Sequence, residues 1–281
     1  MTIHLNRRSV IQAGLGSILT PAMVLGEPQE NPNRKLVLVE LFTSQGCDLC
    51  PDAERLIGRL LEEERKSSDR IAVLAWHVDY FNRPWRDPFS EARYSGRQMA
   101  YHEVFTKTRP TFMKTAENGL YFTPMLMIDG ITPMLANTKP ETIQKVKNAI
   151  TAARRKSVEI HLGFEFHGPS GELRVDLNQM LRKSRSTKSS KDLLVTAACV
   201  QKTASTNVES GENAGKVLTE QSIVRDYDFK AWNANADRKT TIRFNLKPPA
   251  GLKQSEMSWI AFIQDTSTGA ILQSFQGAWN A

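Results

Sequence analysis

Two thiols, Cys47 and Cys50, stand three positions apart in Gln45-Gly46-Cys47-Asp48-Leu49-Cys50-Pro51. Sulfurs at that spacing can form a disulfide, exchange it with an outside thiol, or hold a soft ion such as Cu(I). The four-residue ring that the disulfide closes adds little loop-closure stabilisation, so it is a poor structural brace. Glu40 lies upstream in an apolar run, where a carboxylate is costly unless protonated or paired. It can move a proton for the deeper thiol, or form a salt bridge to an arginine such as Arg93 or Arg97. His77 and Asp79 close the next apolar run. His77 reads either as an assistant or third metal ligand for the thiols, or as a packed, hydrogen-bonded histidine, and Asp79 follows it. Cys199, inside Leu193 to Val200, reads as a small core hydrophobe.

The elements that must position these groups are visible in the periodicity. Leu36 to Phe42 is nearly all apolar, as in a strand covered on both faces. Beyond the dithiol, Ala53, Leu56, Ile57, Leu60 and Leu61 recur at helical spacing, and Pro51 suits the first helical position. The thiols therefore fall where a strand hands over to a helix. Free N–H groups and the helix dipole favour a thiolate there, while Asp48 opposes it by charge. Ile71 to Val78 is a second buried strand, parallel to the first by the right-handed crossover rule. The shared carboxyl edge brings His77, Asp79 and Tyr80 towards Cys47 and Cys50.

An aromatic loop follows, from Tyr80 through Trp85 to Phe89. Ser90 can cap a helix that carries Tyr94, Gln98, Tyr101 and Phe105 on one side. Leu120 to Gly130 reads as a strand entered at Pro124, and Ile131 to Leu135 pairs back across Asp129-Gly130. Thr138-Lys139-Pro140-Glu141 fits a capping box, and Ile143, Val146, Ile150 and Ala153 form a helical stripe. From Ser157 apolar and polar residues alternate, which predicts strands in two packed antiparallel sheets. Glu212 and Asn213, in a Gly-flanked loop, either face the dithiol or simply make their own turn.

With 281 residues, 40% hydrophobic and 24% charged, the chain has ample material for a core. Of the formal charge of +7, Arg7 and Arg8 belong to a leader, leaving +5. The basic, Ser-rich run Arg182 to Lys191 accounts for that remainder and reads as a solvated loop, so nothing points to nucleic acid. Asn6-Arg7-Arg8-Ser9-Val10-Ile11-Gln12, followed by a weakly apolar segment, resembles a twin-arginine export signal over residues 1–26, with a linker at 27–35. No later segment is long and apolar enough to span a bilayer. The expected location is outside the cytoplasm, periplasmic or secreted, where a C-x-x-C pair rests as a disulfide.

Strand, C-x-x-C, helix, strand, helical insertion, Thr-Pro, hairpin and helix is an order that resembles a thioredoxin fold. More specifically, Val39-Glu40-Leu41-Phe42-Thr43-Ser44-Gln45-Gly46-Cys47 with Cys50-Pro51, His77-Val78-Asp79-Tyr80, Asp87-Pro88-Phe89, Thr123-Pro124-Met125 and Gly211-Glu212-Asn213-Ala214-Gly215 resembles the DUF1223 family of secreted thioredoxin-like proteins. Asp48-Leu49 stands where the family more often has small serines. The resemblance implies an α/β thioredoxin-like domain with a helical insertion over residues 36–156, followed by an all-β, sandwich-like domain over 157–281. It implies that Pro124 is a cis-proline facing the dithiol and leaves the Thr123 backbone free to pair with a bound peptide. Tyr80, Trp85, His77 and Asp79 complete the expected binding wall. The leading expectation is a thiol–disulfide oxidoreductase in which Cys47 attacks, Cys50 resolves, Pro124 positions the substrate and Glu40 moves protons. It needs no cofactor beyond the Cys47–Cys50 disulfide, and its partners are protein thiols or disulfides. The alternatives are a Cu(I)-type carrier using Cys47, Cys50 and His77, and a non-catalytic binding module.

Overall fold

The computed structural model describes residues 35–66, 71–116, 119–155, 160–167, 170–179, 192–233 and 239–279. The expected export signal, all of the linker but Lys35, and the basic run lie outside the described residues.

β1 (Val37–Thr43) is buried at every position, as its unbroken apolar run requires. The dithiol turn leads into α1 (Cys50–Arg65), which has Pro51 in its first turn. β2 (Ile71–His77) pairs parallel with β1, with Thr43 opposite His77. The insertion is α2 (Ala92–Thr108) and α3 (Pro110–Thr115). β3 (Met125–Ile128) runs antiparallel to β1, and β4 (Thr132–Leu135) folds back on it before α4 (Pro140–Arg154). Two expected caps take other partners. The Ser90 hydroxyl bonds Asn82 and the Asp87 carbonyl. The Thr138 hydroxyl turns to the Asp52 carboxylate at the start of α1. That contact ties two helix N-termini together, which a local motif cannot reveal.

The remaining strands are β5 (Ile160–His167), β6 (Glu172–Gln179), β7 (Asp192–Asn207), β8 (Val217–Asn233), β9 (Lys239–Asn245), β10 (Met257–Asp265) and β11 (Ile271–Ala278). They do not form two sheets of their own. β7, β8, β10 and β11 extend the first sheet, in the order β11-β10-β7-β8-β2-β1-β3-β4, and β5-β6-β9 make a second one. The join is parallel pairing of β8 with β2 at Ala75 and Ile223. β2 is buried throughout, so backbone groups on its outer edge need partners, and β8 covers that edge. The two parts therefore share a continuous sheet.

The faces of β1 are filled differently. Val37, Val39 and Leu41 pack with α1 and α4 residues such as Leu56, Ile57 and Val146. Leu38 and Phe42 pack with Tyr94, Tyr101 and Phe105 of α2, the expected aromatic stripe. The core under the second sheet joins Leu173, Val175 and Phe244 to Val195, Cys199 and Trp259. Cys199 is fully buried there, and that burial pushes its thiol well up.

Glu40 shares the α2 face with Leu38 and Phe42, away from α1. Its carboxylate takes Arg97 Nε at 2.5 Å, Trp76 Nε1 at 3.0 Å and the Tyr101 hydroxyl. The guanidinium sits among the rings of Trp76, Tyr101 and Phe262. The proton-moving role expected of Glu40 is thus corrected: strand alternation sends it to an ion pair on the opposite face from the helix that carries Cys50. Breaking a buried pair from one side leaves a stranded charge. Arg97→Met should therefore cost about 3–5 kcal/mol in urea unfolding, with much of that recovered in the Glu40→Met/Arg97→Met double variant. A loss below ~1 kcal/mol would show the carboxylate needs no partner.

Candidate functional site

The turn after β1 is held by its backbone and by Gln45. Cys47 N–H donates to the Ser44 carbonyl at 3.2 Å, and Cys50 N–H to the Cys47 carbonyl at 3.3 Å. Gly46 has no substitute here, since a Cβ would lie 2.5 Å from the Phe81 carbonyl oxygen. Gln45 N–H donates to Asp87 at 2.9 Å, its side-chain amide donates to Glu220 at 3.0 Å, and its side-chain oxygen accepts from Trp85 Nε1 at 3.0 Å.

Both sulfurs are thiols in this structure, and their acidities are split. Cys47 is lowered to about 7, chiefly by the hydrogen bond from Cys50, against the effect of burial. The Thr123 hydroxyl and the Leu49 and Cys50 backbones lower it further. Cys50 is raised well above the ordinary thiol value by burial and by the neighbouring Cys47. The Thr123 hydroxyl approaches Cys47 without reaching hydrogen-bond geometry, and it has no other partner among the described residues. It belongs to the Thr123–Pro124 peptide, which is cis, as is Arg83–Pro84.

Access is not as expected. Cys47 is only 2% exposed and Cys50 1%. The loop between β7 and β8 lies across the turn. Asn213 Nδ2 donates to the carbonyls of Gln45 at 2.8 Å and Cys47 at 2.9 Å, and the Glu212 carboxylate accepts from Asp48 N–H at 3.0 Å. Of the two sequence readings for Glu212 and Asn213, the one that faces the dithiol is the one observed. Gly211 adopts a φ of +83° against Pro84 and Trp85, a backbone state that suits glycine.

The other predicted residues divide. Tyr80 donates to Gln98 at 3.0 Å and packs on Tyr121 at 4.7 Å. Burial raises its pKa first, and the charges of Tyr121, Cys50 and Cys47 add to that, which places it beside the thiols. Trp85 reaches the turn through Gln45. Asp79 accepts from the Ser95 hydroxyl at 2.5 Å, so it serves α2 rather than the sulfurs. His77 is fully buried, with Nδ1 2.7 Å from Asp87. Burial disfavours its cation, but the charge and hydrogen bond of Asp87 outweigh that and raise it to about 9. Asp87 is correspondingly held below the carboxylate range, against its own burial. Asp87 thus takes Nδ1, while Nε2 is buried with no hydrogen-bond partner among the described residues. Among the described residues no three His, Cys, Asp or Glu side chains gather to hold a metal ion.

The sequence reading missed Glu54. It lies one helical turn after Cys50, and neither carboxyl oxygen has a hydrogen-bond partner among the described residues. Burial raises it to about 8, against the pull of His77 and with a further push from Glu220. Glu220 is itself raised by burial. The Thr43 hydroxyl sits near both the Cys50 sulfur and the Glu54 carboxyl, favouring the charged form of each. Its approach to Glu54 falls short of a formed hydrogen bond. The signal was available: Glu54 interrupts the apolar stripe Ala53, Leu56, Ile57 at i+4 from Cys50.

Comparison with known proteins locates this arrangement. The family described as a protein of unknown function (DUF1223) matches residues 38–264. The chain belongs to the DUF1223 family. The crystal structure of protein AGR_C_4864 from Agrobacterium tumefaciens shares its fold: 20% identity over 87% of this chain and 94% of that one, at a TM-score of 0.60. A domain of the outer membrane lipoprotein Omp28 from Porphyromonas gingivalis covers 43% of this chain and 87% of that domain at 10% identity. Its TM-score of 0.22 is too low to support any inference. No curated protein matches.

Two measurements check the electrostatics of this DUF1223 dithiol. Thiolate absorbance in the reduced protein should rise near pH 7 for Cys47, and Cys50→Ala should move that midpoint upward by deleting the main stabilising hydrogen bond. Glu54 has a folded value of about 8 above its ordinary 4.5. Its contribution to stability is then complete below pH 4.5 and is lost as pH rises through 8. Glu54→Gln, which cannot ionise, should remove that loss and be more stable than the parent at pH 9 by roughly 2–4 kcal/mol in urea unfolding. His77, also raised, loses its contribution through about pH 9 in both proteins.

Proposed function

We propose that this DUF1223 protein is an exported thiol–disulfide oxidoreductase whose Cys47–Cys50 pair works in a thioredoxin-like setting. The observation that carries the reading is geometric: Cys47 and Cys50 adjoin where β1 hands over to α1, with the Cys50 thiol and the Thr123 hydroxyl against the Cys47 sulfur, which lowers its pKa. A thiolate near neutral pH is the form that attacks, and its acidity also makes it a good leaving group. The strand–dithiol–helix order and the Thr123 hydroxyl beside Cys47 support the same reading.

The Cys47 thiolate attacks a substrate disulfide, forming a mixed disulfide and expelling one substrate thiolate. Cys50 must then lose its proton to attack Cys47. Glu54 replaces Glu40 as the acceptor, with Thr43 between, and its value of about 8 lies near an operating pH, where general bases are effective. The attack of Cys50 releases the second substrate thiolate and leaves the Cys47–Cys50 disulfide. A protein substrate reaches Cys47 only after the Glu212–Asn213 loop lifts.

The burial of both sulfurs favours one rival, a binding module whose dithiol is a minor brace. Insulin reduction driven by dithiothreitol separates the two. The parent should be active, Cys47→Ser and Cys50→Ser inactive, and Glu54→Gln slower by about 10²-fold. Equal inactivity of parent and cysteine variants would favour the module.

A further inference from the structure

His77, Asp87, Glu54 and Glu220 are all buried behind the dithiol turn, one base among three acids. Strand pairing explains how they meet. Thr43 stands opposite His77 in the parallel pair of β1 and β2. Both therefore continue the rows Val37, Val39, Leu41 and Ile71, Val73 that face α1. Glu54 lies on the inward side of α1, one turn after Cys50. β8 brings Glu220, which is tied to the Gln45 amide at 3.0 Å. The aromatic loop brings Asp87, which holds His77 Nδ1 at 2.7 Å and accepts from the Gln45 and Phe89 N–H groups, each at 2.9 Å. Phe89 packs edge-on against the imidazole at 5.3 Å, and Arg225 of β8 is engaged by the Phe89 ring and by Gln201.

With Nδ1 taken by Asp87, the imidazole can act on another group only through Nε2 and its charge. Nε2 and both Glu54 carboxyl oxygens are buried without a hydrogen-bond partner among the described residues. These polar atoms occupy one layer, between the sheet and α1. For each of the three acids the imidazolium is the largest influence that favours the anion. Asp87 meets it at contact, and Glu220 has the Gln45 amide as well. Glu54 has the charge together with the approach of the Thr43 hydroxyl, against burial and the repulsion of Glu220.

We propose that His77 is a positioning residue for the resolving step: its imidazolium, oriented by Asp87, stabilises the Glu54 carboxylate that accepts the Cys50 proton. The proposal rests on the thiol–disulfide reading above and gives its base a partner. As Cys50 attacks, its proton passes by way of the Thr43 hydroxyl to Glu54. The electron pair of the Cys50 sulfur forms the bond to Cys47, and the bond from Cys47 to the substrate sulfur breaks with its pair leaving on the substrate. His77 keeps both ring protons throughout. It sets the pH at which the carboxylate is available, because an opposite charge nearby favours the ionised form.

The test follows two protonation equilibria and one rate. Carbon NMR of the labelled, reduced full chain should show Glu54 titrating at about 8 and His77 at about 9. In His77→Gln, whose amide can still bond Asp87, the Glu54 midpoint should rise by at least ~1 pH unit. In Glu54→Gln the His77 midpoint should fall by a similar amount, because coupling between two sites is reciprocal. That second variant decides the matter even if the first does not fold. Dithiobis(nitrobenzoate) mixed with the reduced chain releases one thionitrobenzoate as Cys47 is captured and a second as Cys50 resolves. The second release should vanish in Cys50→Ser. In His77→Gln it should slow at least ~3-fold at neutral pH and recover at alkaline pH. Independent titrations, or a second release that is unchanged or slowed equally at every pH, overturn this inference alone. A parent that never gives the second release overturns the functional reading with it.

Discussion

Gln45 holds the dithiol turn, the aromatic loop and β8 together. Its backbone and side chain bond Asp87, Trp85 and Glu220, and its carbonyl takes Asn213. All four partners lie far along the chain, so the geometry of the sulfurs depends on contacts made late in the sequence. A buried amide can meet such demands because it carries both donors and an acceptor. Once its partners are in place, leaving any of them unpaired would cost the desolvation of a buried polar group.

The sheet buries acids on both faces and treats them in opposite ways. On the α2 side Glu40 has a guanidinium, an indole N–H and a phenol, and its charge is fully answered. On the α1 side Glu54 has no such partner, and the nearby cation of His77 is already engaged by Asp87. The first arrangement holds a charge still; the second leaves a proton easy to move. Local chemistry follows from which face of the sheet each acid lies on, set for Glu40 by the pleat of β1 and for Glu54 by the inward side of α1.

Much of the N-terminal part was legible because its signals are local. The unbroken run Val37–Thr43, the stripe after Pro51 and the aromatic side of α2 each specify an element and a face. The thiols, Tyr80, Thr123 and Pro124 were placed together by the parallel pairing rule and by resemblance. What escaped depends on long-range pairing. Nothing in the alternation of β8 says that its edge meets β2, so the shared sheet was read as a separate sandwich. Glu40 and Glu54 look alike in sequence, each an acid in an apolar stretch. Only the packing of Arg97 against one of them tells a structural pair from an unpaired carboxyl. The cover over Cys47 was half visible, in the Gly-flanked pair Glu212 and Asn213.

The bond from Asn213 to the Cys47 carbonyl spans 166 residues of chain. A ribosome therefore makes the sulfur pair long before it makes the loop that shelters them. Until β8 docks, the nascent protein carries its most acidic thiol unshielded, open to the wrong oxidant or to another chain. The β7–β8 loop thus acts as a closing step in biogenesis as well as a connection within the sheet.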